Sequence, residues 1–208
     1  KQYIDKIFIG IFWTEYQVGL YFGVQRIALF IGTMALAIEG MLLPAISNLH
    51  SNRKDKEITT LVHDAERYVA MVCIPLVAMT IVWSSEIILV FISKEFLSAS
   101  NILKILALVA LVRVLNRPWS VALRGSDRPD LTSILSIFSS ILSIILMLIL
   151  VPKRIPQLGL ENLFGLGGEG AAYAVLISEI LVGISLRILC YKYLNILPKA
   201  NFLVQIFV

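Results

Sequence analysis

The sequence predicts an all-α fold, a polytopic bundle of transmembrane helices, from two observations. First, 58% of the 208 residues are hydrophobic and only 15% are charged, and the mean hydropathy is +0.86, far from the composition of a soluble domain. Second, five apolar stretches reach about 20 residues, the length that a helix needs to cross a bilayer. These stretches are continuous and do not alternate in polarity, which argues against a transmembrane β-barrel.

The five predicted spans cover most of the chain. Residues 1–13 add half of a further span, which places Asp5 and Lys6 at membrane depth, and another apolar run begins after Pro198. We therefore expect partial spans at both ends and interpret residues 1–208 as one transmembrane unit, a fragment of a longer protein. In chain order, the complete spans are residues 20–47, 68–93, 99–123, 131–151 and 170–194.

The charged connection between the first two spans, residues 49–67, has helical periodicity. Its apolar residues recur three or four positions apart and lie opposite its polar ones, as in an amphipathic helix. We expect this helix to lie at the membrane interface, ahead of the second span. The apolar positions are Ile58, Leu61, Val62, Ala65 and Val69, and the polar ones are Glu57, Thr60, Asp64 and Arg67.

Basic residues near the span ends are unevenly distributed between the two sides of the membrane. Eight fall on the side that carries residues 49–67, and four fall on the other side. The positive-inside rule therefore places the side with eight in the cytoplasm and predicts a multi-pass protein of the cell membrane. The eight are Arg53, Lys54, Lys56, Arg67, Arg124, Arg128, Lys192 and Lys199; the four are Lys94, Lys104, Lys153 and Arg154.

The segment "RGSDRPD" connects two predicted spans on the cytoplasmic side. Gly125 and Pro129 are typical of a tight turn between antiparallel helices. Arg124 and Arg128 flank this turn, so we interpret them as topology anchors.

Arg113 lies too deep in its span to be an anchor. It is about fourteen residues from the start of the span, or ~20 Å along a helix. Asn116 and Arg117 follow on the same helix face, and Pro118 predicts a kink. An arginine at membrane depth faces protein or water. This pattern indicates the cationic wall of a cavity for an anionic group; the alternative is a structural ion pair with a carboxylate on another helix.

Other spans carry charged residues that could belong to the same cavity. Arg26 and Glu39 are in one predicted helix but on different faces, so they do not pair directly. Glu179, in the middle of the last span, is a candidate partner for Arg113. The candidates for counter-ions, or for coupling to Na⁺ or H⁺, are Asp5, Glu39 and Glu179.

Small and hydroxyl residues predict close packing between helices. Gly170, Ala171 and Ala172 at the start of the last span would let that helix approach a neighbour closely. A stripe of serines three or four residues apart is interpreted in the same way, with cavity lining as the alternative. The stripe is Ser133, Ser136, Ser140 and Ser143.

The sequence lacks the residue patterns of enzymes and of nucleic-acid-binding proteins. It has no metalloprotease or serine-hydrolase motif, and "GLGGEG" follows no predicted strand, which excludes a dinucleotide site. The net charge of +4 comes without a basic face interleaved with aromatic residues, which excludes nucleic acid as a partner. We predict that the protein is not an enzyme and uses no cofactor.

Five segments along almost the whole chain carry Gly, Pro and polar residues at defined positions within apolar sequence. They are "DKIFIGIFWTEYQVGLYFGVQRIA", "EGMLLPAISNLH", "VCIPLVA", "NRPWSVALRGSDRPD" and "LGGEGAAYAVLISEI". In this order and spacing they resemble the second half of the multidrug, oligosaccharidyl-lipid and polysaccharide exporter superfamily. They are most similar to its polysaccharide biosynthesis flippases of the O-antigen type.

The resemblance implies a protein of two six-helix lobes, of which residues 1–208 would be the C-terminal lobe. Such flippases alternate between inward-open and outward-open states, and translocate a polyprenyl-diphosphate-linked oligosaccharide whose head group enters a cationic cavity. Partners would be this lipid-linked oligosaccharide, membrane lipids, the N-terminal lobe, a polysaccharide polymerase and glycosyltransferases. The substrate-binding candidates here are Arg26, Arg113, Asn116 and Arg117.

Two alternatives remain beside the flippase. One is an antiporter for multiple drugs or organic cations within the same superfamily, for which acidic residues in the cavity would be expected. The other is a membrane scaffold that transports nothing, for which Arg113 and Arg117 would have no effect on translocation.

Overall fold

The computed structural model describes residues 4–153 and 164–196. This part of the chain is helical and contains no strand, which confirms the predicted all-α fold. Arg154, Lys199 and the apolar run after Pro198 lie outside the described residues. The helices are α1 (Ile4–Phe12), α2 (Glu15–Ser51), α3 (Asp55–Val82), α4 (Ser84–Phe91), a 3-10 helix (Lys94–Ala99), α5 (Ser100–Gly125), α6 (Pro129–Leu150) and α7 (Gly167–Leu194).

Four helical segments of the described chain are long and apolar enough to cross a membrane. They are Asp55–Val82, Lys94–Gly125, Pro129–Leu150 and Gly167–Leu194, and they contain all or most of four of the five predicted spans. The remaining prediction, residues 20–47, falls within α2. This helix is continuous over 37 residues, or about 55 Å, but it is not one of the four.

The predicted span 68–93 is wrong in its boundaries, because the helix is interrupted. α3 ends at Val82, Trp83 leaves the helical conformation, and α4 begins at Ser84. The break coincides with Ser84 and Ser85, and serine favours helix starts over helix interiors. α3 also begins before the predicted span, at Asp55.

The predicted connection 49–67 is therefore much shorter than expected. Only residues 52–54 separate α2 from α3, and the predicted amphipathic helix is the first part of α3. Its apolar face is buried against other helices: Ile58 and Val62 are 1% and 0% exposed and pack with Trp119 of α5. The apolar stripe continues through Cys73, so one helix buries one continuous face.

α5 is the central helix of the bundle. It packs most extensively on α2, α3 and α7, whereas α6 packs mainly on α7 and makes few contacts with α5. The predicted turn is confirmed, because α5 ends at Gly125 and α6 begins at Pro129. α5 continues through Pro118, so this proline does not end the helix.

The start of α7 packs closely on its neighbour, as its small residues predict. Ala171 and Ala172 are fully buried. A Cβ on Gly170 would lie 2.6 Å from the backbone oxygen of Leu150. Since a backbone atom cannot move aside as a flexible side chain can, this contact requires glycine.

Replacing Gly170 with alanine is expected to destabilise the fold. Overpacking of this kind costs about 1–3 kcal/mol, so the midpoint of thermal unfolding in detergent should fall. The matched control is Gly19→Ala in α2, where nothing lies within 4 Å of the added Cβ and alanine favours the helix by about 0.5–1 kcal/mol. An equal midpoint for the two variants would contradict the close contact.

Candidate functional site: a polar groove lined by arginines

A polar groove lies between α5 and α6, with α7 as its floor. It consists of two adjoining cavities of about 240 Å³ and 370 Å³, which share Arg113, Arg117, Ser140 and Glu179. The groove exists because α5 and α6 both pack on α7 but make few contacts with each other. At one end, a smaller cavity of about 50 Å³ extends from Arg113 to Asp5.

Arg113 and Glu179 form an ion pair across the groove, from α5 to α7. Arg113 Nε donates a hydrogen bond to Glu179 Oε1 at 3.0 Å. This confirms the partner that the sequence suggested for Arg113. The carboxylate is largely buried, but the side chain of Arg113 is still 39% exposed, so the pair does not remove the arginine from the groove.

Glu39 of α2 lies between two arginines of α5. Its Oε2 is 3.1 Å from Arg117 Nη1, and its Oε1 is 2.7 Å from Arg124 Nη2. Within the described residues, neither Glu39 Oε2 nor Arg124 Nη2 has a partner aligned for hydrogen bonding. The two contacts are therefore ion pairs by distance, without the geometry of hydrogen bonds.

This position changes the interpretation of Arg124. The sequence suggested a topology anchor that faces the cytoplasm, yet the Arg124 side chain is mostly buried and contacts Glu39. An arginine side chain is long enough to bring its charge some distance from its own Cα. Its charge therefore lies close to the groove, although Arg124 does not itself line either of the two cavities.

Asp5 is a buried carboxylate at the end of the groove. Its Oδ2 accepts hydrogen bonds from Tyr21 Oη and from Gln25 Nε2, both at 2.9 Å. These contacts join α1 to α2. A buried carboxylate costs free energy unless it is hydrogen-bonded or paired, and these two donors contribute to that requirement.

Asn116 borders the groove, but α7 binds both ends of its amide. Its Nδ2 donates to the backbone oxygen of Glu179 at 3.1 Å, and its Oδ1 accepts from Arg187 Nη1 at 3.0 Å. Gly183 makes room for this contact, since a Cβ there would lie 2.5 Å from Asn116 Oδ1. The structure thus gives Asn116 a role in helix packing, and Asn116 also lines the larger of the two cavities.

Arg26 is the predicted site residue that the structure does not bring to the groove. Its guanidinium carbon lies 4.6 Å from the centre of the Phe22 ring, and Arg26 is not among the described residues that line the three cavities. The neighbouring Gln25 lines the groove instead. Successive residues of a helix point about 100° apart, and α2 turns Gln25 rather than Arg26 towards the groove.

Sequence reasoning missed a second buried ion pair, Glu66 with Arg187. Arg187 Nη2 of α7 donates to Glu66 Oε1 of α3, whose side chain is 5% exposed. The Arg187 guanidinium also lies 5.2 Å from the centre of the Trp119 ring. A signal was present, because Glu66 falls on the apolar stripe of α3 between Val62 and Val69, where a solvated charge would not be expected.

The serine stripe of α6 contributes to the groove wall more than the sequence suggested. Ser140 and Ser143 line one cavity, and Ser136 and Ser140 line the other. Ser136 and Ser140 each donate to the backbone oxygen four residues earlier. Their oxygen lone pairs remain able to accept hydrogen bonds from a ligand. These three serines therefore line the cavities, which is the alternative interpretation of the stripe.

The fold and the groove define a class: a polytopic, all-α membrane protein with paired charges along an internal groove. Residues 1–101, just under half of the chain, match the family model described as polysaccharide biosynthesis protein. The chain is also 26% identical over 149 residues to a protein of Haloferax volcanii named "Probable low-salt glycan biosynthesis flippase Agl15". Together these matches confirm the predicted resemblance to polysaccharide biosynthesis flippases.

The extent of these matches limits what they describe. The 149 residues are 72% of this chain but 32% of the Haloferax volcanii protein, so the chain spans about a third of the length of that relative. No solved structure matches the chain.

Proposed function

We propose that this chain forms the C-terminal lobe of a flippase in the cytoplasmic membrane. The flippase would translocate a polyprenyl-diphosphate-linked oligosaccharide by alternating access, without a cofactor and with Na⁺ or H⁺ as the coupling ion. The observation that carries the proposal is the pair Arg113 and Arg117, which line one groove with side chains 39% and 40% exposed. Such exposure leaves both arginine side chains accessible to a ligand in the groove.

Arginine suits the diphosphate of such a substrate. Its guanidinium is planar, permanently charged and able to donate two parallel hydrogen bonds to phosphate oxygens. Charged side chains within membrane spans are costly and face a cavity or a partner. Two arginines one helical turn apart could together bind one diphosphate.

The opposite wall of the groove suits a sugar head group. Ser136, Ser140 and Ser143 present hydroxyl oxygens along α6, and hydroxyl groups of a sugar can donate to them. We propose that the N-terminal lobe covers this groove from the other side. The polymerase and glycosyltransferases would act before or after translocation, outside this chain.

The groove supports an organic-cation antiporter less well. Such a transporter needs carboxylates that a cation can reach, but Glu179 is paired with Arg113, and Glu39 lies between two arginines. The carboxylate of Asp5 is buried and accepts two hydrogen bonds. An anionic ligand has accessible partners here, whereas a cationic ligand would first have to displace an arginine from Glu179 or Glu39, or the two hydrogen-bond donors from Asp5.

The proposed function is tested with the intact protein in proteoliposomes. We expect it to move a fluorescent polyprenyl-diphosphate oligosaccharide between leaflets faster than protein-free liposomes do. The same vesicles should not export a fluorescent organic cation such as ethidium. Export of ethidium without lipid flipping would support the antiporter. The absence of both activities would support the scaffold.

A further inference from the structure

We propose that Arg124 is a positioning residue for anion binding: by holding Glu39, it keeps Arg117 available to phosphate. The inference rests on the proposed function and adds to it a residue outside the groove. Arg124 would tune the affinity of the site without touching the substrate.

The first argument is the shared carboxylate. Glu39 carries one negative charge, and guanidinium groups of Arg117 and Arg124 lie 3.1 Å and 2.7 Å from its two oxygens. One carboxylate cannot neutralise two arginines. A net positive charge therefore remains on this trio.

The second argument concerns which arginine keeps that charge. The contact of Glu39 with Arg124 is the shorter one, and Arg124 is also the more buried arginine, at 29% exposed against 40% for Arg117. Electrostatic attraction is stronger at shorter distance and in more buried surroundings. Glu39 is thus held mainly by Arg124, and the uncompensated charge falls on Arg117, which lines the groove.

The third argument is that Arg117, like Arg124, contacts Glu39 without the alignment of a hydrogen bond. Glu39 Oε2 lies near Arg117 Nη1 but accepts no aligned hydrogen bond within the described residues. The N–H groups of Arg117 can therefore turn to a phosphate oxygen without losing a good hydrogen bond. Without Arg124, Glu39 would be free to align with Arg117, and a phosphate would then have to displace it.

The experiment measures the dissociation constant of farnesyl diphosphate for the intact protein in detergent, with farnesol as the uncharged control. Arg124→Gln should weaken binding, because Glu39 moves to Arg117. Glu39→Gln should strengthen binding, because Arg117 loses its competitor. We expect roughly three- to tenfold changes, in opposite directions.

Two further variants separate positioning from a structural role. Arg124→Lys retains the charge that holds Glu39 and should bind nearly as the unmodified protein does. In a Glu39→Gln background, Arg124→Gln should have little further effect, because the competing carboxylate is absent. The midpoint of thermal unfolding, measured for each variant, shows which of them remain folded.

Shifts of the dissociation constant in the same direction for Glu39→Gln and Arg124→Gln would overturn the inference. An equal loss of affinity from Arg124→Gln in the unmodified protein and in the Glu39→Gln background would also overturn it. Both results leave the proposed function intact, because the unmodified protein still binds the diphosphate. If the unmodified protein does not prefer farnesyl diphosphate to farnesol, the proposed function fails and this inference fails with it.

Discussion

Replacing Arg187 with alanine is expected to lower the free energy of unfolding by about 3–5 kcal/mol, the typical cost of leaving a buried charge without its partner. Glu66 would be the uncompensated charge, since its side chain is only 5% exposed. The change also removes the hydrogen bond to Asn116 Oδ1 and the contact with the Trp119 ring. Three helices, α3, α5 and α7, meet through these contacts.

Thermal and denaturant unfolding of the intact protein in detergent would measure this loss. The matched control is Glu57→Gln, which breaks the exposed pair of Lys54 with Glu57 and should cost less than about 1 kcal/mol. Changing Glu66 to glutamine as well should recover part of the stability, because the unpaired charge disappears. If Arg187→Ala costs no more than Glu57→Gln, the pair does not contribute to the fold as described.

The elements of the fold were largely predictable, because each depends on a local pattern. Continuous apolar runs predict helices regardless of their partners, and Gly125 and Pro129 fix a turn through backbone preferences that need no tertiary information. The break at Trp83 and the early start of α3 were not predicted. A hydropathy pattern identifies apolar segments, but it does not determine where one helix ends and the next begins.

The candidate site was only partly predictable. Arg113 could be matched with Glu179 because both lie near the middle of their spans, so their depths agree. The pair of Glu66 with Arg187 and the position of Arg124 depend on how helices are rotated and on where long side chains reach. Arg26 shows the same limit from the other direction: it lies at a suitable position along α2 but on the wrong face.

Replacing Arg113 and Arg117 together with alanine is expected to reduce lipid flipping on the order of 100-fold. A hydrogen bond to a charged group contributes about 1.5–3 kcal/mol, and each 1.4 kcal/mol corresponds to a tenfold change in affinity. The change also removes the arginine that pairs with Glu179. Glu179 lines the groove, so its uncompensated carboxylate would repel a diphosphate.

The assay is translocation of a labelled polyprenyl-diphosphate oligosaccharide in proteoliposomes, with equal amounts of inserted protein. Arg26→Ala is the matched control, because it also removes an arginine from a long helix but one that does not line the groove. We expect Arg26→Ala to flip the lipid at nearly the unmodified rate, although the sequence alone had suggested a substrate contact. Equal rates for the double variant and the unmodified protein would exclude the groove arginines from translocation. A loss of the same size in Arg26→Ala would instead indicate that the effect follows net charge, because Arg26 shares no cavity with Arg113 or Arg117.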